Sequence, residues 1–113
     1  MTALSPAFPL TWRSETLEGT RTVLVAVEGE LDRHTAPALS DHLQWLLAGD
    51  PERLMLDTAA VSFADIGAFG VLSDIGRAAA GRGCEVIVTT PGPSLQRLVD
   101  ILGQPAGVSL EAW

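Results

Sequence analysis

The sequence contains no lysine, because all seven of its cationic residues are arginine. This absence excludes catalysis by a lysine amine. It also excludes phosphate loops and receiver domains, which need a lysine to bind the phosphate group. With 14 acidic residues, the formal net charge is -7. No basic stripe exists to displace counterions from a nucleic-acid backbone. We therefore expect a protein partner and no nucleic acid.

Cysteine and histidine are scarce: Cys84 is the single cysteine, and His34 and His42 are the two histidines. One thiol excludes an internal disulfide and a cysteine-based zinc site, so we expect Cys84 to pack at the start of a strand. The histidines have no third ligand at a zinc spacing. Neither Ser62, Ser94 nor Cys84 has a neighbouring histidine base. The sequence thus predicts no enzyme, no metal and no cofactor.

Long apolar runs are also missing. The longest ones, such as Val23–Val27 and Val86–Val88, are far shorter than the roughly 20 residues that span a bilayer. The first residues show no basic region followed by a continuous apolar stretch. We expect no membrane insertion and a cytoplasmic location. The length of 113 residues predicts a single domain over residues 1–113, with a core at about 10–103.

The residues that are present predict strands alternating with helices. Helix one should be capped by Thr35, with Pro37 in its first turn, and helix three should be capped by Ser94 and end at Gly103. Predicted strands cover about 10–13, 21–29, 53–58 and 84–90, with a short strand or helix after 107. Predicted helices cover about 36–47, 67–80 and 95–102. This order predicts an α/β fold with parallel pairing in part of the sheet.

Two finer predictions concern burial. Val23, Val25 and Val27 alternate with Leu24 and Ala26, which is typical of a strand inside a sheet covered by helices. Residues 59–67 follow the next strand and are predicted to form a loop. In the second helix the spacing places one set of residues inward (Val71, Leu72, Ile75, Ala78, Ala79) and another outward (Ser73, Asp74, Arg77).

The loops after the second and third strands should meet on one rim, where ligands or partners of such sheets bind. Asp32, Asp57 and Asp65 could converge there as a magnesium site with a phospho-acceptor aspartate. The alternative is that Asp32 and Asp65 brace helix starts, and the absence of lysine favours it. Trp45 lies on the first helix, either at the edge of the core or as an interface anchor.

Three blocks of sequence carry a family resemblance: "GELDRHTAPAL", "LMLDTAAVSFADIGAFGVL" and "SLQRLVDILG". Over about Val23 to Gly103, the chain resembles the STAS-domain family of anti-sigma factor antagonists. The resemblance implies a mixed central β-sheet with helices packed largely on one side. It also implies a non-catalytic protein that binds an anti-sigma factor with serine kinase activity and so frees a sigma factor. A homodimer is a further option.

The family's switch loop resembles Asp-Ser-Ser/Thr-Gly-Leu-Gly, in which the first serine accepts a phosphate. In this chain Ile66 falls on that serine, and Gly67 and Ala68 also depart from the pattern. An isoleucine cannot accept phosphate, so the resemblance implies a binder that is not gated by phosphorylation there. The predicted partner-binding residues are Asp65, Ile66, Gly67, Ala68, Phe69 and Gly70, supported on the same rim by Asp32, Arg33, His34 and Thr35.

Two other roles of the same fold stay open. One is a STAS regulatory subunit of an ABC-type lipid transporter, which clamps a nucleotide-binding subunit. The other is a subunit of a larger sensory assembly built from STAS domains. Neighbouring permease and ATPase genes would favour the first, and a large particle on gel filtration would favour the second.

Overall fold

The computed structural model describes residues 2–4 and 10–111. In these residues one six-stranded sheet carries three helices. Met1, residues 5–9 and residues 112–113 belong to the predicted domain and lie outside the described residues. The elements in chain order are β1 (Thr2–Leu4), β2 (Leu10–Leu17), β3 (Thr20–Leu31), α1 (Ala36–Leu47), β4 (Arg53–Ala64), α2 (Ile66–Gly81), β5 (Glu85–Thr89), α3 (Pro93–Leu102) and β6 (Val108–Glu111).

The sheet is mixed, as predicted. Strands β1, β2 and β3 pair antiparallel, whereas β3, β4, β5 and β6 pair parallel. The tight turn between β2 and β3 places Glu18 and Gly19 at positive φ. Each parallel step is made through a helix, because parallel neighbours cannot be joined by a short turn. All four carboxyl ends of the parallel strands therefore lie at one edge of the sheet.

The helices cover one face of this sheet, and the core lies between them. Val23, Val25 and Val27 are buried in one cluster with the leucines of α1 and the apolar residues of α2. On the opposite face Leu24 is half-buried and Ala26 is exposed. The one-sided packing that the resemblance implies is confirmed, and the expectation that helices cover both faces of this strand is wrong.

Residues 59–64 form the second half of β4, so the predicted loop there is wrong. The strand continues because β3 runs beside it. Glu28 pairs with Ala60 after one register shift, and Leu31 pairs with Ala64 after a second. The irregular pairing leaves adjacent residues exposed, so the regular alternation of a strand is missing from this stretch. The sequence pattern therefore looked like a loop.

The helix starts differ in detail from the prediction. Thr35 occupies the N-cap of α1, with a proline in the first turn, but its side chain makes no capping bond. Gly92, not Ser94, is the N-cap of α3, and Gly103 ends that helix as predicted. The Ser94 Oγ instead bonds to the backbone of Ala64, accepting from its N–H at 2.9 Å and donating to its carbonyl at 3.2 Å.

Helix α2 approaches β6 very closely at Gly76. A Cβ at this position would overlap the carbonyl oxygen of Ala106 and lie 2.8 Å from Cγ2 of Val108. Gly107, with φ +71°, faces the backbone of Gly76 at the same contact. Ser73, predicted to face outward, is buried on this helix, whereas Ala78 is exposed. In the described residues, no helix combines the length and apolarity needed to cross a bilayer.

Candidate functional site

The two predicted partner-binding segments meet at the carboxyl edge of the parallel strands. Leu31 and Ala64 are paired at the ends of β3 and β4, and the Asp65 N–H donates to the carbonyl of Leu31 at 3.0 Å. We call Asp65–Gly70 the switch segment and Asp32–Thr35 the supporting rim. The backbone bond fixes the two segments side by side.

Asp65 caps α2 through its carboxylate. Its backbone is extended, and Oδ1 accepts from the N–H of Gly67 at 2.8 Å and from that of Ala68 at 3.2 Å. These are two of the N–H groups that a helix start leaves without intrahelical partners. Asp65 therefore braces a helix start. The rest of the switch segment forms the first turns of α2.

Ile66 is the first residue of α2 and is 70% exposed. Phe63, at the end of β4, is 47% exposed, and Ala68 is fully buried. Phe69 and Gly70 are half-buried. Phe63 and Ile66 are three residues apart at the same edge of the sheet, and exposed large apolar side chains of this kind mark interaction sites. Phe63 is not among the predicted partner-binding residues. It falls in the segment that the sequence predicts as a loop, and no sequence motif singles it out there.

Gly67 of the switch segment lies next to the backbone of Arg33 in the supporting rim. A Cβ on Gly67 would lie 3.1 Å from Oδ1 of Asp65 and 3.6 Å from Cα of Arg33. The first distance is shorter than an ordinary van der Waals contact. The glycine therefore leaves room for the capping carboxylate, whereas the contact with the supporting rim would be an ordinary one.

The supporting rim is a turn held by Asp32. Its Oδ1 accepts from the N–H of His34 at 2.8 Å and from that of Thr35 at 3.0 Å. The hydrogen bonds from the backbone N–H groups of Thr35 and then His34 lower the pKa of the Asp32 carboxyl. The Thr35 hydroxyl donates to the carbonyl of Glu30 at 2.9 Å. Arg33 and His34 are exposed, so the turn presents both side chains at the rim.

Asp57 does not join Asp32 and Asp65. It is exposed in the middle of β4, where its Oδ1 accepts from the N–H of Ala59 at 3.0 Å. Among the described residues, no three acidic, histidine or cysteine side chains form a group that could hold a metal ion. Of the two interpretations of these carboxylates, the geometry favours bracing, with Asp32 holding the turn before α1 and Asp65 capping α2.

The remaining polar candidates of the sequence lie apart from one another. Cys84 is buried beside the start of β5, and desolvation, followed by the charge of Glu85, raises the pKa of its thiol. Ser62 is exposed on β4, whereas Thr58 is buried. Neither hydroxyl lies at the first turn of α2. What the edge offers chemically is a capped helix start with exposed apolar side chains, which suits the binding of another protein.

Comparison with known proteins shows which family has this architecture. The family model described as "Mlab, STAS domain" matches residues 16–105. A crystal structure of an anti-sigma factor antagonist from Mycobacterium paratuberculosis is 26% identical, with a TM-score of 0.61 and coverage of 89% of this chain and 83% of that one. A search of curated proteins finds no significant match.

Two further solved structures share the fold at lower identity. The anti-sigma factor antagonist SpoIIAA in its unphosphorylated form is 19% identical, with a TM-score of 0.65 and coverage of 88% of this chain and 86% of that one. A putative anti-sigma factor antagonist from Thermotoga maritima is 14% identical, with a TM-score of 0.71 and coverage of 88% and 85%. Because the family model matches residues 16–105, most of the length of the chain, this chain belongs to the STAS domain family.

Proposed function

We propose that this protein is a non-catalytic regulatory protein of the anti-sigma factor antagonist type. It binds an anti-sigma factor with serine kinase activity and frees the sigma factor that the kinase holds. The similarity to the antagonist from Mycobacterium paratuberculosis, at 26% identity over 89% of the chain, supports this role. The observation that carries the proposal is the switch segment, which presents Ile66 from a capped helix start next to the supporting rim.

The switch segment binds its partner through apolar contact. Ile66 and Phe63 leave large apolar surfaces exposed at the same edge, and full burial of one such side chain is worth roughly 1.5–3 kcal/mol. The exposed arginine and histidine of the supporting rim add polar contacts around this apolar centre, as in the rim of a typical interface.

Binding is not controlled by phosphorylation at Ile66. A phosphate at this place would add about -1.5 to -2 charges beside the N–H groups of a helix start, where it can expel a partner. Isoleucine has no hydroxyl to receive it. Partner availability or the amount of this protein then sets how much sigma factor is free. The protein works in the bacterial cytoplasm, where a sigma factor and its kinase act.

Affinity capture from native lysate, followed by mass spectrometry, tests the proposal. The wild-type chain should recover a serine kinase of the anti-sigma type, and Ile66→Glu should lose it, because the new carboxylate imitates the phosphate. Ile101→Glu is the matched control, since Ile101 is 73% exposed on α3 and outside the switch segment. This control should retain the kinase.

Two outcomes would contradict the proposal. Recovery of an ABC permease or ATPase in place of a kinase would support the transporter alternative. Equal recovery of the kinase with wild type and Ile66→Glu would show that the partner binds elsewhere on the molecule.

A further inference from the structure

An open cavity of about 590 Å³ lies at the end of the molecule opposite the switch segment. One side is formed by β2 and the start of β3, including Trp12 and Val23, and the other by the end of α1, including Trp45 and Leu46. Its volume falls within the range of roughly 300–1,000 Å³ that is usual for small-molecule sites. Along β3, about nine residues separate it from the rim, which corresponds to about 30 Å.

Two indole rings dominate this cavity. Trp12 and Trp45 lie with their ring centroids 5.5 Å apart and their planes at 67°. Trp45 remains 62% exposed although it contacts another aromatic ring. A nearly perpendicular pair forms a corner in which a third flat ring can stack on one indole and meet the edge of the other. The rings therefore define the shape of a ligand.

The charges near the cavity are already compensated. Arg21, which lines it, pairs with Glu52 at 3.3 Å between Nε and Oε1. Glu15, which also lines it, pairs with Arg13 at 2.8 Å. The other polar groups of the wall include the hydroxyl side chains of Ser14 and Thr16, both on exposed residues. Because each of these charges already has a partner of opposite sign, a charged ligand gains less here than it would from an unpaired charge, whereas an uncharged ligand loses nothing.

We propose that the cavity between Trp12 and Trp45 binds a small, uncharged, planar aromatic molecule. The ring stacks in the indole corner, and a polar edge of the molecule reaches the hydroxyl groups of β2. This site is separate from the switch segment, so the proposed ligand does not depend on the proposed protein partner.

Titration of the full-length, ¹⁵N-labelled protein with indole tests the proposal by NMR. The Nε1–H signals of Trp12 and Trp45, assigned with the two Trp→Phe variants, should shift and saturate. Trp45→Ala should weaken indole binding at least tenfold. Thr16→Phe, at an exposed residue of the cavity wall, should also weaken binding, because the larger side chain fills the cavity. Ile101→Ala, at another exposed apolar residue, should leave the affinity unchanged. Tryptamine and indole-3-acetate carry the same ring with opposite charges and should bind no more tightly than indole.

The proposal is overturned if the shifts remain linear with indole concentration, or if Trp45→Ala and Thr16→Phe both bind indole as wild type does. Equal weakening by Ile101→Ala would show non-specific adsorption. Tighter binding of either charged analogue would overturn the uncharged ligand class.

Discussion

Replacing Gly76 with alanine tests how α2, and with it the switch segment, is anchored to the sheet. The added Cβ would overlap the carbonyl oxygen of Ala106 and lie 2.8 Å from Cγ2 of Val108. Because one of these atoms belongs to the backbone, relief requires α2 or the turn before β6 to move. Overpacking of this kind typically costs about 1–3 kcal/mol.

Gly70 supplies the matched control in the same helix. Among the described residues, nothing lies within 4 Å of a Cβ added there. Alanine in an open helical position is more favourable than glycine by about 0.5–1 kcal/mol. Gly70→Ala should therefore stabilise the protein by that amount, and Gly76→Ala, where the added Cβ meets backbone, should destabilise it. The same helix preference acts at both positions, so the two variants should differ by the overpacking cost of about 1–3 kcal/mol.

Urea unfolding followed by circular dichroism measures both free energies of unfolding. If Gly76→Ala unfolds at the urea concentration of the wild type, the close contact between α2 and β6 is refuted. If Gly70→Ala loses as much stability as Gly76→Ala, the loss arises from the helix itself and the packing explanation fails.

Three further substitutions have defined outcomes. Asp65→Ala removes both capping bonds and should lower the free energy of unfolding by about 1 kcal/mol; an unchanged urea midpoint would contradict the cap. Thr58 is buried, and its Oγ1 has no hydrogen-bond partner among the described residues. Thr58→Val should therefore raise the free energy of unfolding by about 1–3 kcal/mol. A variant that melts at a lower temperature than the wild type would contradict this prediction. The N–H groups of Thr35 and then His34 hold the pKa of Asp32 below its usual range, so this carboxylate stabilises the fold above about pH 4 and loses that effect as the pH falls through the lowered pKa. The stability gap between wild type and Asp32→Asn should therefore close in acid, and a gap that widens there would contradict this.

Most of the fold could be predicted because its signals are local. Val23, Val25 and Val27 are β-branched residues of a strand core, and Pro37 and Gly103 mark a helix start and a helix end by their backbone preferences. The α/β order and the parallel pairing follow from the alternation of such segments. Each of these features is decided by the residues themselves.

The errors arose where distant residues decide the structure. The end of β4 is a strand because β3 lies beside it. Ala59 and Ala60 carry no local signal of this pairing. The Ser94 hydroxyl bonds to Ala64 across 30 residues instead of capping its own helix. The burial of Ser73 depends on how α2 packs against its neighbours. Helix periodicity alone predicts that this side chain faces outward.

The candidate site was predictable in position but not in its full surface. The order of the strands placed the supporting rim and the switch segment on one edge, and both lie there. The exposure of Phe63 depends on the irregular pairing of β4. The cavity between Trp12 and Trp45 depends on how α1 lies over β2, two elements that are not adjacent in the chain, so no local signal could have shown it.

The central claim is that the switch segment binds its partner without phosphorylation at Ile66. The direct measurement is the affinity for the captured kinase before and after incubation with that kinase and ATP, with the intact mass recorded at both points. The account predicts an unchanged dissociation constant and no phosphoryl group on residues 62–70. A phosphoryl group in that stretch, together with a weaker affinity, would contradict it.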